Sequence, residues 1–159
     1  METRINPMVN EFGAKWAKYV ISSNKAITDS TLPKAVQELV KIRASQINGC
    51  GGCLDMHTKD AAAAGESMVR INLVGAWRET TVYTDAERAA LELTEQGTRL
   101  ADSSGVTDQA WANAARHFDE DQLMALVALV ALICVINAFN RLNVITRTPG
   151  GEYQPGQFG

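Results

Sequence analysis

Apolar residues recur along this chain at the three-to-four-residue spacing of amphipathic helices, and no convincing period-two alternation accompanies it. Met8, Phe12, Trp16, Tyr19 and Val20 fall near helical period and predict a helix over about 7–22, followed by a polar loop over 22–32. Pro33 suits the first turn of a second helix, which runs to about Ile47. Asn48-Gly49 then supplies a stop, because both residues tolerate a left-handed backbone. A third helix is expected from near Cys50 to Gly65. The alanine run 61–64 favours it, and Gly51-Gly52 predict an irregular first turn. A further segment covers 67–77. Thr84-Asp85-Ala86-Glu87 reads as a capping box opening a helix to about Leu100. Residues 102–105 form a loop, Thr107 caps a helix to about Phe118, and Asp119 precedes a long apolar helix ending near Asn143. The fold class is therefore all-α, about six to seven helices in a single domain over 1–148. The Gly/Pro-rich tail 149–159 is expected to be poorly ordered.

Leu123 to Ile136 is fourteen residues without a polar side chain. A membrane-spanning helix needs about 20, so this reads as a core or subunit-interface helix. Residues 123–139 are apolar around most of the helix, which must then be covered on all sides. In a chain of 159 residues part of that cover is expected from a second subunit.

Composition narrows the function. Apolar residues at 46% and charged residues at 21% suit a globular domain. A net charge of −3, with no Lys/Arg run interleaved with aromatics, argues against nucleic-acid and anionic-membrane partners. The N-terminus, Met1-Glu2-Thr3-Arg4, lacks the basic and apolar regions of a signal peptide, so a cytoplasmic location is expected. In that reducing compartment a Cys-x-x-Cys pair is more often catalytic or metal-binding than structural.

Such a pair is present: Cys50-Gly51-Gly52-Cys53, with His57 four residues later and Glu38 twelve residues before Cys50. A disulfide between Cys50 and Cys53 closes too small a loop to remove much entropy from the unfolded chain. At about 100° per residue, Cys50, Cys53 and His57 share a helix face within about 60°. The helix N-terminus stabilises a thiolate, and an imidazole at i+4 can take or hold a proton. Glu38 reaches this face if the Asn48-Gly49 turn folds the two helices together. Partial burial is expected to raise its pKa.

Glu38, Cys50, Cys53 and His57 form Glu-x11-Cys-x2-Cys-x3-His, embedded in Glu38-Leu39-Val40-Lys41-Ile42-Arg43-Ala44-Ser45-Gln46-Ile47-Asn48-Gly49 and Leu54-Asp55-Met56-His57. This resembles the alkylhydroperoxidase D-like (AhpD-like) members of the carboxymuconolactone decarboxylase family. Ala76-Trp77-Arg78-Glu79-Thr80 and Ile136 to Leu142 resemble that family too, over roughly residues 4–148. The resemblance implies an AhpD-like helical bundle assembled as homo-oligomers, commonly trimers or hexamers. It implies peroxide substrates and a dithiol or protein reductant, with no further cofactor. Cys50 and Cys53 would cycle between dithiol and disulfide, and Glu38 and His57 would relay protons. One departure is Gly52, where some peroxidase members carry a histidine or aromatic residue.

Within that reading Cys53, closer to His57, is the attacking sulfur, and Cys50, expected to be the more exposed, resolves the intermediate. Two rivals stand beside it. Carboxymuconolactone decarboxylation uses the same fold, but those members typically lack the cysteine pair. A zinc-binding or redox-sensing module would take Glu38 and His57 as third and fourth ligands. Cys134 is expected to be a small buried hydrophobe and His117 a structural residue near a helix end. Trp77 and Arg78 are expected to anchor rather than catalyse, and Asp55 and Asp60 to lie on a solvated helix face.

Overall fold

A computed structural model describes residues 3–7, 9–143 and 152–157. Among them the chain is helical throughout, with no strand: α1 (Glu11–Thr28), α2 (Lys34–Asn48), α3 (Gly51–Ala63), α4 (Met68–Leu73), a 3₁₀ segment (Val74–Glu79), α5 (Asp85–Thr98), α6 (Asp108–Ala114) and α7 (Glu120–Asn143).

Short polar residues cap several of these helices, though not α2 or α3. Asn10 Oδ1 accepts the Gly13 N–H at 2.8 Å, and Thr107 Oγ1 accepts that of Ala110 at 3.2 Å. The expected capping box is complete, with Thr84 Oγ1 accepting the Glu87 N–H and the Glu87 carboxylate accepting the Thr84 N–H. Each satisfies backbone donors that a helix start leaves unpaired.

α2 is the central element, packed against α3, α5 and α7. Val36 and Val40 enter one apolar cluster with Leu126 and Leu129 of α7. Leu39 and Ile42 enter a second, with Ala61 of α3, Trp77 and Leu91. Each such fully buried aliphatic side chain is worth roughly 1.5–3 kcal/mol. Burial on two sides fixes the rotation of α2, and with it the direction in which Glu38 points.

Three elements differ from expectation. α1 continues to Thr28 through the polar stretch 22–28, where the Ser22 and Ser23 hydroxyls donate to the carbonyls of Lys18 and Tyr19 at 2.8 and 2.9 Å and so do not compete for the helix N–H groups. Its apolar residues Phe12 and Tyr19 face outward, while Trp16 stacks on Phe139 of α7; Met8 lies outside the described residues. The segment 67–77 splits at Leu73, and a non-helical Ala76 turns Trp77 into the second cluster. α6 stops at Ala114, where a turn brings Phe118 into the first cluster.

α7 has 24 residues and is long and apolar enough, by length and composition alone, to cross a membrane. One face packs on α1, α2 and α5 and carries the buried Asn137. Met124, Val127, Val135 and Leu142 stay exposed.

The start and end of the tail, 149–151 and 158–159, lie outside the described residues. Residues 152–157 are held rather than loose: Tyr153 donates its hydroxyl to Asp60 at 2.9 Å, and its carbonyl accepts from Lys59 Nζ at 2.9 Å.

Candidate active site

The site is built around the turn between α2 and α3. Gly49 takes a left-handed φ of 63°, as a helix stop at Asn48-Gly49 requires, and its N–H returns to α2. Cys50 follows in extended conformation as the N-cap of α3, with its N–H donated to the Ser45 carbonyl at 2.9 Å. The Arg141 guanidinium, at the end of α7, donates to the Gly49 carbonyl. The helix is regular from Gly51 onward, so the irregular first turn expected from the glycines is absent.

Cys50 caps no N–H with its side chain. Its sulfur lies 2.6 Å from that of Cys53, which sits in the first turn of α3. A disulfide bond measures about 2.05 Å, so the two free thiols need little movement to join. Both residues have no exposed surface. One sulfur holding a proton against the other draws the first ionisation of the pair down to about 6 despite burial and pushes the second up. The pair therefore holds one thiolate and one thiol near neutral pH.

The expected difference in exposure is absent, because Cys50 is no more exposed than Cys53. The lowered and raised ionisations belong to the contacting pair rather than to either sulfur.

Cys53, His57 and Ala61 are the buried residues of α3, each four apart. Glu38 crosses from α2 to meet His57: Nδ1 lies 3.0 Å from Glu38 Oε2. The other oxygen, Oε1, accepts from Lys41 Nζ at 2.8 Å. Burial pushes the Glu38 carboxyl up, but His57 and Lys41 outweigh it, and the net pKa is lowered. The expected rise is thus reversed, because two nitrogen partners compensate the lost water. Glu38 is a carboxylate at neutral pH. By accepting Nδ1–H it leaves Nε2 as the basic atom of the ring.

The structure brings all four sequence-predicted residues to the α2–α3 junction, as two contacting pairs. Lys41, to which sequence reasoning assigned no role, is buried. That reasoning also passed over Asn140, whose Nδ2 lies 3.3 Å from Cys53 Sγ. A polar residue recurring inside an apolar helix is the signal that marks it. Among the described residues no group of three or more His, Cys, Asp or Glu side chains is arranged to hold a metal ion.

The remaining residues sort as follows. Trp77 is buried, donates Nε1–H to Glu95 at 3.0 Å and lies beneath the Arg78 guanidinium, 4.1 Å from its ring centre. Both residues are anchors, as expected. His117 is exposed. Cys134 is half-buried rather than enclosed, with Sγ 3.7 Å from Thr98 Oγ1 and from Asn48 Nδ2. Asp55 pairs with Lys59 at 2.9 Å. Asp60, expected on a solvated face, accepts from Tyr153 because the tail covers it.

An all-helical bundle presenting a buried Cys-x-x-Cys beside a glutamate–histidine pair defines an AhpD-like protein. The sequence model of the carboxymuconolactone decarboxylase family matches residues 14–96, and the chain belongs to that family. It is 40% identical to the uncharacterized protein YdfG of Bacillus subtilis (strain 168), over 74% of this chain and 79% of that one. It is 32% identical to the uncharacterized protein YnjA of Escherichia coli (strain K12), over 61% of this chain and 52% of that one. A crystal structure from Agrobacterium tumefaciens, of a protein of unknown function described as a candidate antioxidant defence protein AhpD, superposes with a TM-score of 0.82. That match is at 32% identity, over 96% of this chain and 100% of the other.

Proposed function

We propose that the chain is a thiol-dependent oxidoreductase that reduces hydroperoxides. The observation that carries this is the 2.6 Å Cys50–Cys53 pair with a depressed first ionisation, one helical turn from a His57 oriented by Glu38. The candidate antioxidant role of the Agrobacterium protein supports the same reading.

In the proposed cycle the thiolate of the pair attacks one oxygen of the peroxide O–O bond. The bond breaks, the sulfur becomes a sulfenic acid, and the departing alkoxide takes a proton through His57. The second cysteine sulfur then displaces hydroxide, which leaves as water, and the disulfide closes. One peroxide and one dithiol thus give one alcohol, one water and one disulfide. An external dithiol or protein reductant restores the pair by exchange. Glu38 holds His57 in one tautomer and balances its charge. The cytoplasm is the compartment that supplies such reductants.

The outward apolar residues of α1 and α7 support assembly with further copies of the chain, as trimers or hexamers.

The test is consumption of an alkyl hydroperoxide with dithiothreitol as donor. Cys50→Ser and Cys53→Ser should each lose turnover by at least about a hundredfold, and one of them should still trap a single sulfenic acid. Unchanged rates in both would remove the mechanism. Turnover of the lactone by the double variant would instead favour the decarboxylase chemistry of other family members.

A further inference from the structure

Asn137 and Asn140 lie one turn apart in α7, among apolar neighbours. Asn137 has no exposed surface. Its Oδ1 accepts from Asn48 Nδ2 at 3.0 Å, and its Nδ2 donates to Ser45 Oγ at 3.1 Å. Both partners belong to the last turn of α2, so this amide fixes the register of α7 against the cysteine turn. Three residues on, Asn140 is half-buried with Nδ2 3.3 Å from Cys53 Sγ.

A half-buried amide must recover its desolvation cost from a partner. A thiol sulfur is a weak acceptor, whereas a charged one forms a hydrogen bond about twice as strong as a neutral pair does. The Asn140 bond is therefore strongest when the charge of the ionised pair is shared onto Cys53, the sulfur it contacts. We propose that Asn140 is a further functional residue of this site: it donates its amide N–H to Cys53 and holds negative charge on the Cys50/Cys53 pair, with Asn137 clamping α7 so that the amide reaches. The assignment rests on reading the pair as redox-active. Both asparagines pull the ionisation of both cysteines downward, as such a role requires.

The same bond bears on the redox equilibrium. Reduction of the disulfide takes two electrons from a dithiol donor and, where one sulfur remains charged, a single proton. A group that stabilises the charged reduced form makes the disulfide a stronger oxidant.

The experiment uses the full chain and two readouts that need no peroxide: thiolate absorbance at about 240 nm against pH, and equilibration of the disulfide with dithiothreitol buffers. Asn140→Ala should raise the first ionisation by about one unit. Asn140→Asp, the same shape but a carboxylate facing the sulfur, should raise it further. At pH 7 a one-unit rise from about 6 weakens stabilisation of the reduced form roughly fivefold, which is a potential about 20 mV more negative. Asn140→Gln keeps the donor and should restore part of both shifts, an effect that a merely structural role does not produce. Circular dichroism identifies the folded variants. An unchanged ionisation and potential in whichever of Asn140→Ala and Asn140→Asp is folded overturns the assignment. Peroxide turnover of the parent is a separate measurement: its absence would sink the peroxidase reading, while the titration still decides Asn140.

Discussion

His57 Nδ1 and Glu38 Oε2 stand 3.0 Å apart, joining α3 to α2 across the Gly49 turn. The same carboxylate holds the nearly buried ammonium of Lys41. One side chain therefore orients the His57 imidazole and neutralises an otherwise uncompensated charge.

Glu38→Gln should cost about 2–3 kcal/mol of stability, since it strips the buried Lys41 of its counter-charge. It should also lower peroxide turnover by roughly a hundredfold. Because the Glu38 pKa is lowered from 4.5, its stabilising contribution is complete above that value and disappears as pH falls through the depressed one. Urea denaturation of parent and variant should differ most at neutral pH and converge in acid. A constant difference across that range would exclude this ion pair as the cause.

Modification of the cysteine pair by iodoacetamide should accelerate as pH rises through about 6, where the first thiol ionises, and then level off. Below that pH the thiolate is lost and reaction slows tenfold per unit. A midpoint near 8.5, the value of an ordinary cysteine, would show that neighbour contact does not activate the pair.

Glu95 accepts from Arg43 Nε at 2.7 Å and from Trp77 Nε1 at 3.0 Å, and pairs with Arg78, away from the cysteines. Glu95→Ala should cost about 3 kcal/mol because the part-buried Arg43 and the buried indole N–H lose their acceptor. Thermal unfolding measures that loss. Cysteine reactivity per folded molecule should stay within about twofold of the parent, separating the anchor from the site.

At Gly49 the turn sets φ at +63°, which an L side chain rarely adopts, and an added Cβ would also meet the movable end of Arg141 at 2.9 Å. Gly49→Ala should therefore destabilise the chain by about 1–2 kcal/mol. Faster cysteine alkylation should accompany the loss, as the α3 start loosens. Equal stability and equal alkylation would show that the turn tolerates a side chain.

On α7, Val127 and Val135 lie on the outer surface. Val127→Glu together with Val135→Glu should leave helicity intact and lower the assembled mass in light scattering. An unchanged mass would place the subunit contact elsewhere.

Much of this architecture is legible in the sequence because it is local. The Asn48-Gly49 stop, the Thr84 capping box and the i+4 relation of Cys53 to His57 are fixed by residues within a few positions of one another. The approach of Glu38 follows from the turn between its helix and the next. The contact of Asn140 with Cys53 is invisible by the same logic. The amide reaches Cys53 from 87 positions away, and no spacing rule connects them. The direction of the Glu38 shift was likewise hidden, since burial alone raises a carboxyl and only the two nitrogen contacts reverse the sign. α1 outran its expected end because its serines direct their hydroxyls to their own helix rather than ending it, a choice that composition does not record.

The zero exposure of both sulfurs has a kinetic consequence. A small oxidant can diffuse between helices that fluctuate slightly. A second protein cannot bring its sulfur into line with a bond that has no surface. In the proposed cycle the two halves then differ in what they demand of the fold. Oxidation asks for a passage, whereas reduction by a protein asks for the α2–α3 turn to come apart. The second half would be limited by the stability of that turn, and a small dithiol would outpace a protein reductant wherever helix opening is slow.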